Sequence, residues 1–520
     1  MKLSTLREDS IKVGKSNQKI DLGLAQDYQI KYYPKSYNEK NGISFIIGTI
    51  GNEKSLFLIS GIPDNELIKE FEGNKVENSL IEDAKVIKKC PLNQKNSEML
   101  QKHFEFTRPK VIGLVNSFGF GDRLGLANAG HIRALEGYDF VPIFAQQSVR
   151  ELTRTHRKPH EVRDAAVWAV FQEGYKSGFG ADADHLKTTE DIDMLMNAGF
   201  KTFTFDPGEH VVNEADTLQE DVLVKYADNL PWNELNDTLA SLEDRYAGKK
   251  IKITEDFEIN AGRLEVLKAL VKYGKALAHI KKLSDHIVKN YSSVPSEIEV
   301  SVDETDSVTS PFEHFFIASE LKRLDVRFIS LAPRFIGDFE KGIDYKGDLE
   351  IFKEEYAKHV KISVYFGSYK ISLHSGSDKF SVYKVIGGMN SGHVHVKTAG
   401  TSYLEALKVV ATKDPGLFRE ILDYSKELYN VEKKSYFVSA DINKVKKGSQ
   451  YADGQLKDLF DVNDVRQILH VTYGRILTDK DKSGKYIFRE RIYKCLMENE
   501  DLHYDYLIKH FHKHLDPFTK

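Results

Sequence analysis

Eight short apolar runs between residues 111 and 396 each end in a polar or glycine-rich cluster and continue into a helical pattern. The unusual Asp, His and Lys residues gather at the ends of those runs. These two observations predict an α/β fold: a (β/α)8 TIM-type barrel with a small N-terminal accessory domain and a helical C-terminal extension. Alternating strand–helix units imply a parallel sheet covered by helices. Eight of them favour closure over an open doubly wound sheet, and closed barrels of this kind build their active sites at the C-terminal strand ends. A chain of 520 residues fits two or three units, and the expected segments are 1–105, 106–425 and 426–520.

In the first segment, runs 43–50 and 55–62 are β-rich and joined by Gly51-Asn52-Glu53-Lys54, a hairpin signal. Lysine-rich, irregular sequence follows to about Gln101, and no residue there suggests chemistry. The barrel strands are expected at 111–116, 141–145, 179–183, 202–205, 298–302, 327–331, 371–373 and 393–396, with a helical insertion before the fifth. The last segment is helical and charged. Its His503, His510, His512 and His514 read as a solvated helix face or a subunit contact, without chemistry.

Composition narrows the function classes. The 74 Lys+Arg nearly balance 78 Asp+Glu, for a net charge of -4, so no basic field is available to hold nucleic acid. Only Cys90 and Cys495 occur, without a CxxC pair, which excludes a disulfide framework and a thiolate zinc site. The first ten residues become charged before a signal-peptide core can form, and no apolar run approaches the ~20 residues needed to span a bilayer. A cytoplasmic protein without membrane or nucleic-acid partners is expected, acting on a small molecule; assembly into a homo-oligomer stays open.

The strand ends supply candidate chemistry. Alternation puts Ala181, Ala183 and His185 on one face of the third strand, the two alanines leaving room beneath the histidine for a metal with substrate. His374 precedes Ser375-Gly376-Ser377-Asp378-Lys379, a small turn whose N–H groups suit an anion, with Lys379 adding charge. His393, His395 and Lys397 alternate on the eighth strand, costly inside a barrel unless partnered. His395 could complete a metal site with His185 and His374, and Asp344 competes as an oxygen ligand; such a set suits Zn, Mn, Fe or Ni. On the fifth strand Ile298, Val300 and Val302 form an apolar inward face ending in Glu304, whose carboxyl would be raised and, paired with Asp184, would transfer protons. Asp303 or Asp306 is expected to cap the helix that starts at Ser310-Pro311. The 119–125 cluster is not GxGxxG, and no Walker A pattern exists, so no nucleotide is indicated. Asp122 and Arg123 are better read as substrate contacts, Arg123 in a bidentate grip on a carboxylate.

Segments 117–123, 144–148, 180–187, 206–210, 303–306, 373–380 and 397–406 together resemble the tagaturonate epimerase family of bacterial hexuronate catabolism, over roughly residues 106–425. The resemblance implies a divalent-metal-dependent interconversion of tagaturonate and fructuronate. It makes Asp184 the base, Glu304 the acid, His185 and His374 metal ligands with Asp344 or His395 as the third, and Asp122, Arg123, Gln147, Lys187, Ser375, Asp378, Lys379 and Lys397 substrate contacts. Competing expectations are a Schiff-base aldolase using Lys187 or Lys397, an epimerase of neutral ketohexoses, and a hexuronate-binding protein without catalysis.

Overall fold

The computed structural model describes residues 2–13, 18–25, 28–76, 81–389 and 392–519; the expected outer bounds 1 and 520 lie outside them. Eight parallel strands close into a barrel: β1 (Ser117–Gly121), β2 (Val141–Ser148), β3 (Gly180–Leu186), β4 (Thr202–Phe205), β5 (Glu297–Val302), β6 (Ser330–Pro333), β7 (Lys370–Leu373) and β8 (His393–Thr398). Each pairs with its neighbours in sequence, and β8 closes on β1. Between β4 and β5 the chain inserts short helices, a hairpin and the helix Arg263–Tyr291. No helix of the described residues is long and apolar enough to cross a membrane.

Two strands fall later in the sequence than expected. Residues 111–116 form no strand; Val111 and Val115 are 38% and 39% exposed, while the N–H groups of Ile112 and Gly113 donate to Glu297. The strand is the glycine-rich cluster itself. Phe118 and Phe120 pack outward against Phe140, Phe144 and Phe511, and Gly119 turns inward, where a Cβ would stand 1.5 Å from Gln146 Oε1. A crowded barrel interior favours small residues, which a sequence pattern reads as a loop. The sixth strand likewise begins at Ser330 rather than Arg327.

The N-terminal segment is an antiparallel sheet whose hairpin pairs Ile43–Ile50 with Glu53–Ser60 across Gly51-Asn52, Gly51 taking φ 57°. The stretch expected to be irregular holds the strand Val86–Pro91 and the helix Gln94–His103. Phe104 and Phe106 then lie on Phe171 of the helix Pro159–Gln172, with centroids 5.4 and 6.0 Å apart. The 425/426 boundary falls inside the helix Pro415–Glu432.

The C-terminal helix Glu500–Leu515 is not a solvated face. His503, His510 and His514 are buried, and only His512 is partly exposed. Phe511 and Leu507 fit the helix Asn128–Ala134, and Leu507 approaches Gly130 so closely that a Cβ there would meet it at 2.7 Å. His510 bridges two buried carboxylates, with Nε2 2.5 Å from Asp378 Oδ1 and Nδ1 2.9 Å from Glu405 Oε1. Burial pulls its pKa down, but Glu405 and Asp378 outweigh that and raise it to about 9. Asp378 Oδ2 also takes Arg466 at 2.6 Å, and its N–H donates to His514 Nε2 at 3.1 Å. The periodicity showed helix here, but burial of its polar face depends on carboxylates distant in the sequence.

Removing a partner from a buried ionic network typically costs ~3–5 kcal/mol. His510→Ala is therefore expected to lower the unfolding free energy from denaturant titration by that order, whereas His512→Ala should stay within about 0.5 kcal/mol. Because folding raises the His510 pKa from 6.5 to about 9, its contribution is complete below 6.5 and fades as pH rises through 9. Stability of the parent chain should accordingly converge on that of His510→Ala at alkaline pH.

Candidate active site

The third strand breaks its own alternation at the point where chemistry begins. Between β3 and β4 the register runs Ala183↔Phe203 and then Leu186↔Phe205, so three steps on β3 oppose two on β4. This is a bulge of one extra residue. His185 sits in it at φ 54°, a left-handed conformation uncommon outside glycine. Asp182 and Asp184 point into the barrel, Ala181 and Ala183 point outward, and the bulge turns His185 back to the inner side beside Asp184. The expectation of alanines beneath the histidine is thus corrected: two carboxylates line that inner face.

Lys397 of β8 stands among them. Its Nζ lies 2.8 Å from Asp182 Oδ2, 2.8 Å from Asp184 Oδ1 and 2.7 Å from Glu299 Oε1, and donates to Thr204 Oγ1 at 2.7 Å. Glu299 therefore faces inward, with Ser301 and Asp303 following it, and Ile298, Val300 and Val302 form the outer face of β5. The expected apolar inward face is reversed. The strand tolerates buried carboxylates because each has a cationic or hydrogen-bonding partner. Burial raises the Asp182 pKa to about 6 against the pull of Lys397. For Asp184, burial pushes up but Lys397, His185 and His374 hold the carboxyl well below the usual range.

His185 and His374 face each other with ring centroids 5.0 Å apart. Each has one nitrogen tied to a carboxylate: His185 Nδ1 to Asp206 Oδ2 at 3.1 Å, and His374 Nε2 to Glu299 Oε1 at 2.6 Å. The other nitrogens turn to the site, His185 Nε2 lying 3.9 Å from Asp184 Oδ1 and His374 Nδ1 3.5 Å from Asp303 Oδ1. Burial lowers both pKa values, yet Asp184 and Asp206 raise His185 to about 9, and Asp303 and Glu299 raise His374 to about 10. Asp184, His185 and His374 offer ligand atoms within 4.8 Å of one another and could hold a metal ion. A ring nitrogen fixed by a carboxylate is the usual support of a metal-bound histidine.

A cavity of about 360 Å³ opens above His374. Asp303, Glu304 and Asp306 line one side, Arg150, Arg334, Lys341 and Ser375 another, and Tyr436 and Phe437 of the C-terminal extension close over it. The side chain of Glu304 is 42% exposed, with Arg150 Nη2 at 3.8 Å. It does not end a buried apolar face. Neither Asp303 nor Asp306 caps the following helix, whose N-cap is Ser310 in a capping box with Glu313. A larger cavity, about 1420 Å³, lies elsewhere, between the N-terminal sheet and the C-terminal helices.

Of the expected substrate contacts, Ser375 lines this cavity and Lys397 lies beneath it among its carboxylates. The others are engaged elsewhere. Asp122 accepts from the N–H groups of Leu124, Gly125 and Ala127. Arg123 pairs with Glu151 at 2.8 Å and stacks 3.5 Å above Tyr473. Gln147 bonds Thr155 and Arg157, Lys187 reaches Glu209 at 2.8 Å, and Asp378 belongs to the His510 network. Lys379 gives its buried ammonium to the carbonyls of Glu340, Ile343 and Ser377. Asp344 holds the backbone N–H of Tyr345 and the hydroxyl of Ser381. His395 sits lower in the barrel, Nδ1 3.0 Å from Ser117 Oγ.

Sequence reasoning assigned no role to Asp182, Asp206, Glu299, Arg150, Arg334 or Lys341. Asp182 and Glu299 could have been found by reading the polar members of Ala-Asp-Ala-Asp and Glu-Val-Ser-Val-Asp as the inner set. The three cations come from loops, where no periodicity marks them.

The family model of UxaE, tagaturonate epimerase, matches residues 33–518. A tagaturonate/fructuronate epimerase of Thermotoga maritima is 42% identical over 485 residues, which is 93% of this chain and 96% of that protein. A glycerol-complexed crystal structure of fructuronate-tagaturonate epimerase UxaE from Cohnella laeviribosi superposes with a TM-score of 0.86 at 37% identity, covering 94% of this chain and 96% of that one. The native form superposes with the same TM-score at 35% identity, covering 99% of each chain. A match of this extent, over a barrel and a site assembled from distant strands, leaves one conclusion: the chain belongs to the tagaturonate epimerase family.

Proposed function

We propose that this enzyme interconverts D-tagaturonate and D-fructuronate by cleaving and re-forming a carbon–carbon bond, with a divalent cation at the strand ends. One observation carries the reading. In a chain of the tagaturonate epimerase family, two histidines, each steadied by a buried carboxylate, converge on Asp184 at the C-terminal mouth of a closed barrel.

The residues fit a cation. His374 Nδ1 is buried with no well-formed hydrogen bond among the described residues, its neighbour Asp303 Oδ1 standing off at 3.5 Å, and two imidazoles with a carboxylate suit Zn, Mn, Fe or Ni. His185, His374 and Asp184 would hold it, with Asp206 and Glu299 fixing the rings. Asp184, expected from sequence as the base, is thereby better used as the third ligand than Asp344 or His395. A divalent cation acts as a Lewis acid toward ketone and hydroxyl oxygens.

The two ketohexuronates differ at the carbon β to the ketone, which bears no acidic hydrogen, so deprotonation there cannot invert it. Retro-aldol cleavage can. Removal of the β-hydroxyl proton lets the α–β bond break, its electron pair passing to the ketone side as an enediolate while the β carbon becomes an aldehyde. The aldehyde turns its other face, the bond re-forms, and the proton returns to the new hydroxyl. Glu304, at the cavity wall, is the group we assign to that proton.

A Schiff-base aldolase is less well supported. Lys397 is held charged by three carboxylates that raise its pKa well above the ordinary range against burial, and Lys187 is paired with Glu209; a nucleophilic amine needs the opposite. A binding protein without catalysis has no use for the convergent histidines.

Three outcomes test the reading. His185→Ala and His374→Ala should each lose bound metal, measured by plasma mass spectrometry, together with activity, and Asp206→Asn should weaken metal affinity by roughly 10–100-fold. Glu304→Gln should keep its metal while turnover falls on the order of 10²–10⁴-fold. Conversion of tagaturonate in D₂O, followed by NMR, should give fructuronate with no deuterium at the inverted carbon; stoichiometric deuterium there would eliminate the carbon–carbon cleavage.

A further inference from the structure

Lys341 stands in the cavity wall near Asp303 and Glu304 but in direct ion-pair contact with neither. Its Nζ donates to Ser375 Oγ at 2.9 Å, one residue beyond His374, and among the described residues it forms no ion pair with a carboxylate. Of the other two cations of the wall, only Arg150 lies within ion-pair distance of a carboxylate among the described residues, facing Glu304 at 3.8 Å, and Arg334 is turned to a backbone carbonyl, that of Thr305.

The structure holds this ammonium in place from behind. Lys379 binds the carbonyls of Glu340 at 2.8 Å and of Ile343, gripping the chain on both sides of Lys341, and the Lys341 N–H donates to the Phe437 carbonyl at 3.3 Å. Burial, then Arg150, depress the Lys341 pKa against the pull of Asp303, Glu304 and Asp184, none of which closes an ion pair with it. A fixed, partly buried cation is costly until a ligand supplies the opposite charge.

We propose that Lys341, positioned by Lys379, is the receptor for the substrate's carboxylate and sets the preference for a sugar acid over a neutral ketohexose. The assignment rests on the epimerase reading and deepens it. After cleavage the carboxylate belongs to the fragment that carries the new aldehyde. That fragment must present its other face without leaving the cavity. An ionic contact at its far end tethers it while leaving the aldehyde free to rotate, so the same lysine serves specificity and retention.

The test uses the full chain, parent and variants, with tagaturonate as substrate and tagatose as a competitive inhibitor. Lys341→Met is expected to lower kcat/KM for tagaturonate on the order of 10–100-fold, the loss of one charge-assisted contact. The inhibition constant of tagatose should stay near the parent value, because tagatose has no carboxylate. The free three-carbon aldehyde-acid should rise relative to epimer, and Lys341→Arg should restore most of the loss. Equal weakening of tagatose and tagaturonate, or an unchanged kcat/KM, overturns the proposal, as does faster turnover of a ketohexose phosphate than of tagaturonate by the parent. A parent protein that converts neither ketohexuronate defeats the epimerase reading instead. The receptor is then judged by calorimetric binding of tagaturonate, which Lys341→Met must weaken by the same factor or the proposal falls.

Discussion

One ammonium at the axis of the barrel, that of Lys397, makes the rest of the site possible. It reaches Asp182 and Asp184 on β3, Thr204 on β4 and Glu299 on β5. Three carboxylates buried this close would repel one another and take up protons without it. With it, Glu299 remains charged and can grip His374, and Asp184 remains charged beside His185. The interaction spans strands from opposite sides of the closed sheet, so the barrel and its charge pattern depend on one another.

From that centre the site is built upward in layers. Glu299 and Asp206 each fix one ring nitrogen of a histidine, which decides where the other nitrogen points. The bulge in β3 performs the complementary task on the backbone, turning two consecutive residues, Asp184 and His185, to the same side. A regular strand would have sent one of them into the helices. The left-handed conformation of His185 is a local strain, of the order of 1–3 kcal/mol, that the surrounding pairing sustains.

The C-terminal extension completes the cavity rather than decorating it. Tyr436 and Phe437 close the wall, Tyr473 supports Arg123, and His510 with Arg466 secures the loop after β7 through Asp378. That loop carries Ser375, and the adjoining segment gripped by Lys379 carries Lys341. The geometry of the strand ends is therefore set partly by helices whose contacting residues lie 88 and 132 positions away from Asp378 in sequence.

The alternation of apolar runs with helices, and the polar residues at their ends, determined the barrel; those patterns are local and repeat eight times. Alternation also put His395 and Lys397 inside correctly, because β8 is regular. The same rule failed on β3 and β5. On β3 a bulge moved His185, and on β5 the inner set was polar, so its apolar members belonged to the outer face. It failed on β1 because the inner residues had to be glycine and serine. Arg123, Asp378 and Lys379 were legible as charged residues near strand ends, but their side chains turned to Glu151, His510 and backbone carbonyls. Residue type and spacing settle what a strand end could do. Which charge meets which is a matter of long-range Coulomb pairing and packing, and only the closed tertiary structure brings those partners together.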